Sequence, residues 1–282
     1  YKLNITPDFQ FYRYNEYEGI YETGLQANEI ATTAETQTRR RNVLVENLLT
    51  YEATFGKHKV SALAGYSYQD TRYRYLYGYG KGMTSGIQEI DGASEGLTTS
   101  GNTSRSVLTS LLGRVFYSFD NRYLVTATIR RDGSSKFGSN YRYGNFPSAS
   151  VGWNVAEERF VKDKVDWLDQ LKIRAGYGVL GNQEIDDYQY SSVITTGINY
   201  PDGNGGVING AFPKYFANPD IHWEETAMTN VGIDFLALGN RLSLTADWYV
   251  KNTKDILLQV PIPISTGAAN DPVKNAGKIR NK

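Results

Sequence analysis

His58 and His222 are the side chains of this sequence best suited to acid–base or metal chemistry at neutral pH. Either role needs them close together, or one of them beside several carboxylates. Three carboxylate pairs exist, Glu157/Glu158, Asp186/Asp187 and Glu224/Glu225, and each falls in a connector or near a strand end, where a solvated reading is the default. The segment "PDGNGG" (201–206) hints at a calcium loop through Asp202 and Asn204 but lacks the further carboxylates such a loop needs, so a turn is expected. "GYGKG" (78–82) is glycine-rich, yet no helix follows and the spacing is not that of a phosphate cradle; a flexible loop is expected. The chain has no cysteine, which removes disulfides, thiolate metal sites and a cysteine nucleophile. No catalytic, metal-binding or cofactor-binding residue emerges, and the substrate-binding residues are left unknown.

The elements that must position these residues alternate. In "NRLSLTADWYVK" (240–251), Leu242, Leu244, Ala246, Trp248 and Val250 share one side; Arg241, Ser243, Thr245, Asp247, Tyr249 and Lys251 share the other. Period two is the strand signature, because successive side chains leave opposite faces. In "LKIRAGYGV" (171–179), Leu171, Ile173, Ala175, Tyr177 and Val179 oppose Lys172, Arg174, Gly176 and Gly178. The segments 122–130, 230–237 and 148–153 repeat the pattern, 60–68 and 111–118 repeat it with more noise, and 1–11 reads as an opening strand one donor short at Pro7. About ten strands are expected.

Two structures accept such strands. A soluble sandwich dries the oily face against a second sheet; an outer-membrane barrel turns it to lipid and lines a wet lumen with the other. The connections discriminate. Tight ones, "FGKH" (55–58), "SFDNR" (118–122) and "ALGNR" (237–241), alternate with long polar ones at 16–41, 76–105, 131–145, 181–221 and 253–273. The medium connector 154–170 falls where a tight turn is due, and its apolar spacing predicts one or two short amphipathic helices. All long loops therefore gather at one end, as in barrels with short periplasmic turns and long extracellular loops. A membrane strand needs about 9–11 residues, and segment 241–251 keeps its alternation for that span. Turning 171–179 over would put Lys172 and Arg174 in hydrocarbon, at roughly 2–4 kcal/mol each at the midplane. Tyr117 and Tyr123 would then lie at an interfacial aromatic girdle.

The class that follows is all-β: an antiparallel transmembrane β-barrel segment. His58 and His222 would lie at opposite ends of its strands. The 30 basic and 30 acidic residues balance, which gives no reason to expect nucleic acid. No apolar run approaches the roughly 20 residues of a membrane helix, so any crossing is by strands. The triplet Arg39–Arg40–Arg41 in "ETQTRRRN" (35–42) is placed at an outer loop base, solvated by default, with anionic lipopolysaccharide as the minority option. "DGSSKFG" (132–138) reads as loop architecture, with Phe137 docking on a neighbouring loop. Tyr73, Tyr75, Tyr77, Tyr79, Tyr188, Tyr190, Tyr200, Phe212, Tyr215 and Phe216 are expected in outer loops, where they could stack on sugars, bury peptide side chains, or pack the loops themselves.

The run "NRYLVTATIRRDGSSKFGSNYRYGNFPSASVGWNVAEERF" (121–160) strongly resembles the SusC/RagA family of TonB-dependent outer-membrane transporters. The resemblance continues through 167–190, 217–235, 240–258 and 47–70, departing at Gly176, where the family suggests Ser, and Leu180, where it suggests Thr. It implies a barrel of about 22 strands, of which residues 1–282 would form a middle arc, with the plug and N-terminal domains absent from this piece. It also implies a Gram-negative, Bacteroidetes-type outer membrane and uptake of oligosaccharides or oligopeptides, without enzymatic chemistry or cofactor. The partners would be a SusD-like surface lipoprotein as lid, and TonB. The alternatives are a soluble β-sandwich glycan-binding module and a siderophore- or cobalamin-type receptor of similar architecture.

Overall fold

The structure, a computed structural model, describes residues 1–83, 86–267 and 270–282. The strands are β1 (Lys2–Glu18), β2 (Tyr21–Thr23), β3 (Gln26–Asn28), β4 (Thr32–Phe55), β5 (His58–Met83), β6 (Ala93–Phe119), β7 (Tyr123–Ser134), β8 (Tyr143–Asn154), β9 (Leu168–Asn182), β10 (Ile194–Pro201), β11 (Val207–Pro213), β12 (Glu224–Ala237), β13 (Leu242–Lys254), β14 (Leu257–Gln259), β15 (Val273–Asn275) and β16 (Lys278–Asn281). One ten-stranded sheet has the order β1-β4-β5-β6-β7-β8-β9-β12-β13-β16, and three small hairpins, β2-β3, β10-β11 and β14-β15, decorate its connections. The chain divides into two compact units: Tyr1–Leu3 with Glu46–Tyr68 and Leu108–Lys282, and Asn4–Val45 with Gln69–Val107.

In the first unit the expected turns are where the sequence puts them. Gly56 at positive φ begins the link between β4 and β5, Asp120 and Asn121 at positive φ join β6 to β7, and Leu238, Gly239 and Asn240 join β12 to β13. Such φ values suit tight reversals between antiparallel strands. The medium connector is a 3-10 turn at Val155–Glu157 followed by one α turn at Arg159–Lys162, shorter than a full amphipathic helix.

Antiparallel register aligns the oily positions into rows. Tyr117, Val125, Val151, Ala175, Val231 and Trp248 are consecutive partners across β6 to β13. Phe119, Tyr123, Trp153, Ile173, Ile233 and Ala246 form the next row toward the short turns. Among the described residues no second layer covers this face: Leu244 is 61% exposed, Trp248 58% and Val151 54%. A contiguous bare apolar sheet face is what water penalises and hydrocarbon accepts. The soluble-sandwich alternative needs this face dry, and the structure overturns it.

In the second unit the sequence reading is corrected. Segments 35–42 and 73–82, expected as loop, lie within β4 and β5. These strands, and β6, run to 24, 26 and 27 residues, more than twice what a bilayer needs. The physical reason is that polar residues here serve both faces and antiparallel backbone pairing satisfies itself. Gln69 Nε2 and Thr71 Oγ1 both donate to Asn42 Oδ1, each at 2.9 Å. "GYGKG" is extended because its glycines admit a close neighbour: a Cβ on Gly80 would lie 2.5 Å from Ala93 Cβ. Pro7 sits on β1, at one end of the sheet order, where a missing donor is tolerated. Within the connectors expected at 76–105 and 253–273, residues 84–85 and 268–269 lie outside those described.

Candidate functional site

The polar face of the first unit is built from small side chains and a few fixed charges. Its central row reads Ser118, Leu124, Gly152, Arg174, Gly232 and Asp247. Period two puts Arg174 here once Ile173 and Ala175 are on the oily side. Its guanidinium crosses the neighbouring strand: Nε donates to Asp234 Oδ2 at 3.1 Å, Nη2 donates to Asp247 Oδ2 at 2.8 Å, and Nη1 lies 2.7 Å from Asp247 Oδ1. Gly232 makes this possible, since a Cβ there would sit 2.6 Å from Arg174 Cζ and 2.5 Å from Asp247 Oδ1. Beside it, Phe116, Thr126, Ser150, Lys172, Gly176 and Asn230 line a shallow depression of about 240 Å³. Lys172 and Arg174 thus lie on the face opposite Ile173, as expected, and the surface they share is polar.

Over the outer ends of these strands lies a dry core. Phe137, Phe146, Ile221, Trp223 and Val273 cluster, with Phe137 and Ile221 fully buried. The Phe137 and Trp223 rings are 5.0 Å apart, and Phe146 meets Trp223 edge-on at 5.3 Å. Lys136 Nζ donates to the Ile185 carbonyl at 2.7 Å, tying "DGSSKFG" to the following long connector. Loop architecture is therefore what that motif provides. Asn275 closes the cap from the other side: its Nδ2 donates to the carbonyls of His222 and Asp255.

The histidines are far apart in role. His58 Nδ1 is 2.8 Å from the Tyr117 hydroxyl beside a short turn; His222 Nδ1 is 2.8 Å from the Asp220 carbonyl in the cap, and its Nε2 is 3.9 Å from Asp255. Among the described residues no group of three or more histidines and carboxylates is close enough to hold a metal. Asp202 Oδ1 accepts from the backbone amides of Asn204 and Gly206, both at 2.8 Å, which makes "PDGNGG" the turn of the β10–β11 hairpin.

The aromatics divide. Tyr73, Tyr75, Tyr77 and Tyr79 lie on a strand, two residues apart on β5, and so share one side. Tyr190 packs on the dry core, and Tyr215 is buried. That burial, with Asp186 and Asp187 nearby, pushes the Tyr215 phenol above its ordinary range. Tyr188, Tyr200 and Phe216 remain exposed.

One solvated reading fails. Glu158 is only 7% exposed. It accepts from the Tyr123 hydroxyl at 2.6 Å, the Trp153 indole N–H at 3.0 Å and Arg122 Nη1 at 2.9 Å. Those donors hold its carboxyl below the usual range. Glu157 instead pairs with exposed Lys162, while Glu224 accepts from the Leu257 amide and Glu225 pairs with Lys254. Trp153 is only five residues from Glu158, but Tyr123 and Arg122, at the start of β7 and in the turn before it, reach it only through the fold. Aromatics gather at this end: Tyr123 is exposed beside Phe119, the Tyr117 hydroxyl is 2.8 Å from His58 Nδ1, and Trp167 lies 6.3 Å from Phe235.

Comparison with known proteins agrees with this geometry. The family model described as "TonB dependent receptor-like, beta-barrel" matches residues 1–282. The TonB-dependent receptor P39 of Formosa agariphila is 39% identical over 245 residues, covering 84% of this chain and 22% of the relative. The TonB-dependent receptor SusC of Bacteroides thetaiotaomicron is 39% identical over 206 residues, 72% of this chain and 20% of the relative. Among solved structures, that of the RagAB peptide transporter superposes with a TM-score of 0.88 at 25% identity, over 99% of this chain and 30% of that one. The chain thus spans about a fifth of the length of these curated relatives.

Proposed function

Because the chain belongs to the TonB-dependent receptor β-barrel family, whose SusC- and RagA-type members are outer-membrane proteins, we propose that it forms part of the wall of a nutrient importer. The cargo class is oligosaccharide or oligopeptide. A SusD-like surface lipoprotein acts as lid, and TonB drives release through a plug carried elsewhere in a longer polypeptide. The observation that carries this reading is the match of the whole chain to the TonB-dependent receptor barrel model and of 99% of it to the RagAB peptide transporter, together with a sheet whose oily face is bare.

The geometry suits passage rather than reaction. The polar face offers small side chains and an internally neutralised arginine, so a hydrated cargo meets few groups that would retain it. The outer cap is packed on a dry aromatic core and presents Tyr188, Tyr200 and Phe216 to solvent, a surface on which a sugar ring or an apolar peptide side chain could rest.

Deleting the full-length gene tests the reading. Growth on oligosaccharide or on oligopeptide as the limiting nutrient should fail, and return with the intact gene. Unchanged growth on both classes would refute the importer reading, and a defect relieved only by added iron or cobalamin would replace it with the siderophore- or cobalamin-type alternative.

A further inference from the structure

The few groups on the polar face that can hold a cargo gather around Phe116, in the first unit. Phe116, Thr126, Ser150, Gly176 and Asn230 are consecutive partners across β6 to β12, so they form one row on that face. The row crosses the depression of about 240 Å³ described above. Phe116 also lines a neighbouring opening of about 440 Å³, shared with Thr50, Glu52, Ser61 and Arg114. Among the described residues, the side chains of Thr126, Ser150, Asn230 and Lys172 make no hydrogen bond or ion pair with protein. Two glycines keep the floor open: a Cβ on Gly176 would lie 2.7 Å from Asn230 Oδ1, and one on Gly152 would lie 3.3 Å from Lys172 Cε. Lys172 stands directly opposite Asp234 on β12, yet that carboxylate is taken by Arg174, and the lysine reaches over Gly152 instead.

Charge and hydrogen bonding limit what can sit there. Lys172 and Arg174 balance Asp234 and Asp247, and Arg114 balances Glu52, so neither opening carries a net charge. An ionic cargo therefore gains no long-range attraction. A peptide main chain finds no partner either. Strand addition needs a free sheet edge, and β6 to β12 are interior strands with a neighbour on each side. What the surface offers is hydroxyl, amide and ammonium groups around an apolar ring, and the hydroxyls and the amide both donate and accept. That set matches a molecule with polar groups around its rim and an apolar face, which is the form of a sugar ring. Pockets that enclose a whole small ligand run to about 300–1,000 Å³, so a shallow opening of about 240 Å³ suits one unit of a longer chain.

We propose that this row is a subsite for neutral hexose units of an oligosaccharide, with Phe116 as the apolar platform and Asn230, Ser150, Thr126 and Lys172 as hydrogen-bonding partners of the ring hydroxyls. The inference rests on the importer reading and narrows its cargo to the neutral-sugar class.

The test titrates the full-length protein in detergent with neutral hexasaccharides of glucose, mannose and galactose, with a hexagalacturonate, and with a neutral hexapeptide. At least one neutral hexasaccharide should bind, and the hexagalacturonate and the hexapeptide should bind more weakly than it does. Asn230→Ala should weaken that binding about 5-fold, the equivalent of one net hydrogen bond of about 1 kcal/mol. Phe116→Ala should weaken it about 10-fold through loss of the apolar platform. Ser150→Trp fills the depression from an exposed position and should weaken binding at least as much, even if Phe116→Ala fails to fold. Thr245→Ala, on the same face but outside both openings, should leave binding unchanged. No binding of any neutral hexasaccharide, tighter binding of the hexagalacturonate or the hexapeptide, or neutral-sugar binding unmoved by Asn230→Ala and Ser150→Trp would overturn the proposal. None of these outcomes touches the importer reading, which stands or falls on growth of the deletion strain.

Discussion

The wall and the outer cap of the first unit spend their apolar residues in opposite ways. In the cap, Phe137, Ile221 and Trp223 are withdrawn from solvent and packed on one another. In the wall, Val151, Leu244 and Trp248 stand bare along one side of the sheet. The same side-chain types thus report two different solvents: protein interior above, hydrocarbon beside. Stability in the cap comes from close packing, so it responds to volume; stability in the wall comes from excluding charge from lipid, so it responds to polarity.

Substitutions can separate the two regimes. The largest effect is expected in the cap. Phe137→Ala removes a fully buried ring and should cost about 3–5 kcal/mol. Hydrogen exchange or limited proteolysis should show the loss confined to the outer connectors, with the wall strands still protected. A global loss from Phe137→Ala would mean that the cap and the wall are one cooperative block.

Next comes the wall. Val231→Arg, in the row with Val151 and Trp248, should cost about 2–4 kcal/mol in urea titrations of the full-length protein in lipid vesicles. Val231→Ala should cost far less, because little packing is lost on a bare face. If the two variants were equally destabilised, this side would be packed against protein.

Gly232→Ala tests the polar side. The added methyl must displace Arg174 or Asp247, and an overpacking cost of about 1–3 kcal/mol is expected in the same titration. Ala at Gly113, whose new Cβ would meet only Ile129 at 3.5 Å, is the matched control and should be close to neutral.

The smallest effect is a pH dependence at the short-turn end. Glu158 has a depressed folded-state pKa, so its contribution is complete above the ordinary glutamate value of about 4.3. It declines as pH falls from there through the folded value. Acid-induced proteolytic opening of the 154–167 connector should show this dependence in the wild type and lose that component in Glu158→Gln.

How much of this was legible in the sequence follows from the range of the interactions. Alternation over 171–179 and 240–251 is local, so facing and register in the wall could be read directly. The tight turns carried their own signals in Gly56, Asn121 and Gly239. The cap could not be read in the same way: Phe137 and Trp223 are distant in sequence, and only Phe137's apolar character amid "DGSSKFG" suggested docking. Glu158 was misjudged because two adjacent glutamates look solvated until Trp153 and Tyr123 close over one of them. The long extensions of β4, β5 and β6 were read as loops because polar residues dominate both of their faces, although Tyr73, Tyr75, Tyr77 and Tyr79 keep a period of two that marks the strand β5.

Arg174 also bears on how the wall carries load. It bridges β9 to β13 across the glycine of β12, so three strands are pinned by one side chain. A slip of one residue would turn the guanidinium to the other side of the sheet, and a slip of two would carry it about 6.6 Å from its carboxylates. Sliding of neighbouring strands under tension must therefore break two ion pairs at once, which makes this spot a mechanical rivet against shear.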